Sequence, residues 1–172
     1  MIIIPKKWIN EPDEDGDGLL EARAESGEVS FPIPIETHNV ALDDVTLNTE
    51  QNFEFVIEGA SEIEKFANEA DYESKRKHKT AAEFFVPAGL FSPTGDENYI
   101  QTARAIIHGK VIETYDDPTK FGFDADYVIF TMTCLGYEFD VVIPNGISDI
   151  ENVEVGNIIS GIYWIQGWPS ED

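Results

Sequence analysis

From Tyr99 to Trp168 the chain repeats one pattern: short runs rich in Ile, Val, Phe and Tyr, cut by turns of Gly, Pro, Asn and Asp. Branched and aromatic side chains at period two suit a pleated, half-buried surface, so each run reads as a strand. Tyr99 to Thr114 is the longest, and Gly109 inside it suggests a bulge or a sharp bend at a barrel corner. Asp116-Asp117-Pro118 marks a turn. Asp126 to Cys134 and Tyr137 to Ile143 flank Leu135-Gly136, a tight hairpin candidate. Pro144-Asn145-Gly146 stops the second of these strands, and Ile147 to Asn152 reads as a short helical turn. Val155-Gly156-Asn157 then leads into a last strand, Ile158 to Gln166.

The first half is less regular. Residues 11 to 28 are polar and acidic, with Pro12, Gly16, Gly18 and Gly27 breaking any period, and read as an exposed loop. Val29 to Ile35 alternates, but Pro32 and Pro34 cannot donate ladder hydrogen bonds, which predicts a sheet edge. Val40 to Leu47 and Phe53 to Ile57 are further strand candidates. Ser61-Glu62-Ile63-Glu64 fits a capping box, and Ile63, Phe66, Ala67 and Ala70 follow at helical spacing, which predicts an amphipathic helix over about 61–79. Acids lead it and Lys75, Arg76, Lys77 and Lys79 end it, the order that complements a helix dipole. Ala82 to Pro93 reads as a buried connector with turns.

The expected fold class is therefore α+β, mainly β: a barrel over residues 99–168, preceded by a β-rich extension, 1–98, with one amphipathic helix, or both parts as one compact unit. A long bent strand, a hairpin and the Val-Gly-Asn-Ile-Ile-Ser-Gly entry to a final strand resemble the oligonucleotide/oligosaccharide-binding (OB) fold, a five-stranded, partly open barrel. Four strands are evident in that region, so the resemblance requires a fifth from the first ninety residues, or else a different small barrel. More narrowly, Phe84 to Phe91, Leu135 to Val142 and Gly156 to Ile165 resemble segments of small uncharacterised bacterial proteins, which carries no activity over.

Charge limits the function. Thirty-four acids against eleven bases give a net charge of −23, a field that repels phosphate backbones and anionic lipid. Direct nucleic-acid binding and membrane association are disfavoured; a surface this acidic could meet a basic partner, bind divalent cations, or simply keep the protein soluble, the last being the commonest explanation. Barrels that bind single strands use exposed aromatics backed by bases. Here Phe121, Phe123, Tyr127, Tyr163 and Trp164 supply a candidate aromatic binding face, joined by Tyr137 and Trp168, yet Lys120 is the only Lys or Arg after residue 110.

Asp13-Glu14-Asp15-Gly16-Asp17-Gly18 matches the first half of a calcium loop, with carboxylates at loop positions one, three and five. Asp13, Asp15, Asp17 and Glu21 are the candidate calcium ligands. Ala24 stands where the bidentate Glu belongs, so a solvated acidic loop is the competing reading; no other cofactor is expected. His38, His78 and His108 form no ligand pair, and Cys134 lies in an apolar run as a small hydrophobe that cannot form an internal disulfide. With no signal-peptide core or membrane span, the cytoplasm is the expected compartment.

No nucleophile, phosphate loop or metal-ligand motif supports an enzyme. The sequence favours a non-catalytic acidic protein that binds another protein. A nucleic-acid mimic occupying a DNA-binding protein, and a hydrolase or small-ligand binder with a pocket built from scattered residues, stand as alternatives.

Overall fold

The computed structural model describes residues 1–26, 29–75, 81–121, 127–144, 146, 150 and 152–170. Nine strands account for most of it: β1 (Ile2–Asn10), β2 (Gly18–Ser26), β3 (Val29–Thr37), β4 (Gln51–Phe66), β5 (Phe84–Val86), β6 (Arg104–Tyr115), β7 (Tyr127–Cys134), β8 (Tyr137–Pro144) and β9 (Ile158–Pro169). The one α-helix among the described residues is α1 (Glu69–Lys75). The fold is thus mainly β, as its alternating runs predict. It divides into two compact units, Met1–Val56 with Pro87–Ala105 and Trp164–Asp172, and Ile57–Val86 with Ile106–Tyr163. Strands β4, β6 and β9 each contribute residues to both.

In the first unit β1, β2 and β3 form an antiparallel meander, β3 meets β9 in parallel at Glu36 and Gln166, β9 pairs with β4, and β4 returns to β1 through Ile2 and Asn52. Five strands therefore form a partly closed ring. Its interior holds Ile3, Leu20, Ala22, Ala24, Ile33, Ile35, Phe53 and Ile165, all buried, each large aliphatic contributing about 1.5–3 kcal/mol by leaving water. Pro32 and Pro34 face Arg23 and Glu21 across the β2–β3 ladder. Strand β3 meets β9 at Glu36, two residues beyond Pro34, so it lies between β2 and β9 and not at the sheet edge that the prolines predict.

The second unit closes in the same manner. Strand β4 lies between β9 and β8, then β7 and β6 follow, and β6 pairs back with β9. The four strands evident from sequence are β6 to β9, and the fifth comes from β4, within the first ninety residues. Ile57, Ile107, Val111, Phe130, Met132, Phe139, Val141 and Tyr163 fill the interior. Leu135 (φ 53°) and Gly136 (φ 83°) form the two-residue turn between Cys134 and Tyr137, the left-handed pair that a tight hairpin requires. At Gly109 a Cβ would lie 2.8 Å from both Met132 Sδ and the Thr133 carbonyl oxygen, so glycine serves close approach of β7. The register shift falls between Val111 and Glu113 instead.

Three further expectations are corrected. The helix does not begin at Ser61. Ser61 to Phe66 continue β4, because Ile57, Gly59 and Ile63 extend the period-two pattern of Phe53 and bury one face, while Glu62 (φ 54°) marks an irregularity in the strand. The helix begins after Asn68, whose side-chain oxygen accepts the Asp71 amide at 3.0 Å, and Asp71 in turn accepts the Ala67 amide at 3.0 Å and pairs with Lys75. Residues 76–79 of the basic run lie outside the described residues, as does most of the helical turn expected at 147–152. The expected loop 11–28 narrows to 11–17: Leu20, Ala22 and Ala24 alternate with Glu21, Arg23 and Glu25, and alanine gave too weak an apolar signal for that strand to be read. Val40 to Leu47 is not a strand but a turn with one 3-10 segment, Leu42–Asp44.

Candidate functional site

The C-terminal end of β9 places its odd residues in the first unit's interior and its even ones outside: Ile165 and Gly167 are buried, whereas Trp164 and Gln166 are half-buried and Trp168 is exposed. Gly167 is required by crowding, since a Cβ would lie 3.0 Å from the Glu54 carbonyl oxygen and from side-chain carbons of Ile35 and Phe55. Both outward tryptophans are anchored by carboxylates on neighbouring strands. The indole N–H of Trp164 donates to Glu36 on β3, and that of Trp168 donates to Glu54 on β4 at 3.1 Å. A hydrogen bond to a charged acceptor fixes each ring by its edge and leaves its faces for other contacts.

Over the Trp164 ring lies the guanidinium of Arg104, 5.3 Å from the centroid, within cation–π range. Beside it His38 holds Asp17 through Nδ1 at 2.9 Å and lies 3.6 Å from Glu36 through Nε2. Next to Trp168 opens a cleft of about 520 Å³ lined by His38, Val40, Asp44, Gln51, Trp168 and Ser170. Asp44 Oδ2 accepts the Ala41 amide at 3.0 Å, and Gln51 bridges the Thr46 amide and the Asp44 carbonyl. The Ser170 amide donates to Asn52 at 2.9 Å, so both walls of the cleft are tied to the backbone. This face offers two fixed indoles, several carboxylates and one internal guanidinium, a surface suited to cationic side chains.

No family model, curated protein or solved structure matches this chain.

A second cleft, about 560 Å³, lies within the second unit and is lined by Glu62, Ile63, Ile106, His108, Ser160 and Ile162, among others. His108 is buried, its Nδ1 2.8 Å from the Tyr72 hydroxyl and its ring packed on Phe84. Tyr72, itself fully buried, meets Phe66 edge-on. This is a satisfied interior pair of the kind that specifies a core.

Of the residues predicted for an aromatic face, Trp164 is half-buried and sits at the site just described. Tyr127 is half-buried on β7. Tyr163 is fully buried, because its position on β9 turns it inward, so it does not belong to an exposed face. Phe123 and the Phe121 side chain lie outside the described residues. The calcium candidates are dispersed. Asp13 Oδ1 accepts the amides of Asp15 and Asp17 at 3.0 and 3.1 Å, Asp17 is engaged by His38, and Glu21 on β2 pairs with Lys7 at 3.1 Å. Among the described residues no group of three or more His, Cys, Asp or Glu converges in a way that could hold a metal ion. The hairpin instead uses Gly16 (φ 81°), where a Cβ would meet the Val40 amide nitrogen at 2.6 Å.

Sequence reasoning missed Glu36, His38 and Glu54. Strand β9 runs past the expected end at Gln166 to Pro169, so Trp164 and Trp168 stand four residues apart on one face; their partners come from strands distant in sequence and carry no local mark. Cys134 is buried, its Sγ donating to the Phe84 carbonyl oxygen at 3.4 Å, and burial pushes the thiol up to about 12. It is not poised as a nucleophile. Among the described residues no helix is long and apolar enough to cross a membrane.

Proposed function

We propose that the chain is a non-catalytic interaction protein whose acidic, tryptophan-bearing face on the first unit binds a basic protein partner. The observation that carries this reading is the pair of indole–carboxylate couples, Trp164 with Glu36 and Trp168 with Glu54, set on one strand end in a chain of net charge −23. Fixed aromatics cost little ordering entropy on binding, and tryptophan is enriched where interface energy concentrates. The surrounding carboxylates steer a basic partner and repel nucleic acid.

The five-stranded, partly closed rings support an OB-like reading of the barrels. A scaffold of that kind does not fix its ligand, and the charge here argues against an oligonucleotide. The lone, buried Cys134 suits a reducing compartment such as the cytoplasm.

A polycation will associate loosely with any surface this acidic, so the test must separate the site from the field. Binding of an oligo-lysine peptide at about 0.15 M salt, where charges beyond roughly 8 Å are screened, is expected to weaken about tenfold in Glu36→Gln/Glu54→Gln and to change less than twofold in Glu138→Gln, which removes an exposed carboxylate on β8. Equal losses in both variants would reduce the binding to nonspecific electrostatics.

A further inference from the structure

We infer that the cleft beside Trp168 receives an arginine side chain of that partner, its guanidinium stacked on the indole and paired with Asp44. This rests on the protein-binding reading above and narrows it to one recognised group.

The chain already contains one complete arrangement of this kind. At Trp164 an indole is fixed edge-on by a carboxylate, Glu36, and carries a guanidinium, Arg104, on its ring at 5.3 Å. Four residues further along the same strand the couple is repeated: Trp168 is fixed edge-on by Glu54 at 3.1 Å. Among the described residues no Lys or Arg is placed over this second ring, which is 36% exposed and borders the cleft of about 520 Å³. The first couple is complete within the chain; the second has the same indole and carboxylate and a cleft where the first has its arginine.

The lining favours arginine over lysine. A guanidinium is planar and weakly hydrated, so it stacks on an indole while its N–H fork reaches an in-plane acceptor; an ammonium is a compact, strongly hydrated point charge. Asp44 supplies that acceptor. Its Oδ2 is occupied by the Ala41 amide, which holds the carboxylate in position, and a carboxylate has further lone pairs for a donor arriving from the cleft. The Gln51 side chain, locked between Thr46 and Asp44, makes that wall rigid, so little ordering is needed on binding.

The test compares oligo-arginine and oligo-lysine peptides of equal length at about 0.15 M salt, read by tryptophan fluorescence and calorimetry. The wild-type chain is expected to bind oligo-arginine about five- to tenfold more tightly. Trp168→Ala is expected to erase that preference, Trp168→Phe to keep part of it, and Asp44→Asn to lower arginine affinity at least threefold with the indole intact; circular dichroism checks each variant's fold. Equal affinity for the two peptides, or a preference that survives Trp168→Ala, would overturn the arginine site. If that equal binding still depends on Glu36 and Glu54, the broader reading stands without it. Failure of both peptides to bind the folded wild-type chain removes both.

Discussion

The Tyr72 hydroxyl lies 2.8 Å from His108 Nδ1 in a wholly buried pair, whereas the Tyr163 hydroxyl, equally buried, has no hydrogen-bond partner among the described residues. The two buried tyrosines thus differ in whether the hydroxyl is hydrogen-bonded. Removing the Tyr72 hydroxyl takes a buried hydrogen bond from the His108 imidazole, so Tyr72→Phe is expected to cost about 1–3 kcal/mol. Tyr163→Phe removes a polar atom that gains nothing from its surroundings and is expected to be neutral or stabilising by up to about 1 kcal/mol. Urea unfolding of the two variants beside wild type checks the difference; equal losses would contradict it.

Gly89 precedes a similar close approach in the first unit. A Cβ there would lie 2.1 Å from the Thr102 carbonyl oxygen and 2.8 Å from the Arg104 amide nitrogen, and the Gly89 carbonyl itself accepts the Thr102 amide at 2.9 Å. Backbone cannot swing aside as a side-chain tip can. Gly89→Ala is expected to cost about 3 kcal/mol, measured as a shift in denaturation midpoint. Gly95→Ala is a useful companion: nothing lies within 4 Å, but φ of 73° is unfavourable for a side chain, so about 1 kcal/mol is expected.

The buried thiol of Cys134 gives a pH dependence with a definite sign. Burial is the largest cause of its upward shift from 9.0 to about 12; a hydrogen bond with the Phe84 backbone works against it and the Glu83 charge adds to it. Above pH 9 the unfolded thiol ionises while the folded one keeps its proton, so the unfolded state binds fewer protons and stability falls as pH rises. The contribution is complete below pH 9 and lost progressively towards pH 12, at roughly 1.4 kcal/mol per unit. Cys134→Ala, compared with wild type at pH 8 and pH 10.5, should flatten that part of the profile. A thiol reagent is expected to modify the native protein only at its unfolding rate.

Self-repulsion accompanies a net charge of −23. Screening relieves it, so raising sodium chloride from about 0.02 to 0.3 M is expected to raise the melting temperature by roughly 3–8 °C, about 1–2 kcal/mol for a chain of this size. A melting temperature that fell with salt would mean that surface ion pairs outweigh repulsion here.

The strands that could be read from sequence share a feature. In β7 and β8, large branched and aromatic residues alternate up to a turn, Leu135-Gly136, whose glycine announces it, and both strands occur within a residue of their expected ends. Strand β2 has the same alternation written in alanine and was hidden by flanking glycines. At Ser61 two local codes compete: the capping box and the spacing of Ile63, Phe66 and Ala67 describe a helix, while Ile57, Gly59 and Ile63 continue a strand. The strand prevails because Ile63 packs against Gly59 and Gly161, where its Cδ1 occupies the space a Cβ would need. That contact joins residues about a hundred positions apart, and no local window contains it. The site was legible to the same degree: Trp164 came from its own strand, but Glu36, Glu54 and Arg104 reach the tryptophans only through the pairing of β3, β4 and β6 with β9.

The central claim is that the Trp164–Trp168 face, and not the acidic surface at large, meets a basic partner. The most direct measurement is a nuclear magnetic resonance titration of the labelled chain with an oligo-arginine peptide at about 0.15 M salt, following the indole N–H signals of its three tryptophans and the backbone amides. The expected result is saturable shifts at the Trp164 and Trp168 indoles and at Glu36, Asp44 and Glu54, with β7 and β8 unmoved. Shifts spread evenly over exposed carboxylates of both units, with the two indoles unchanged, would contradict it.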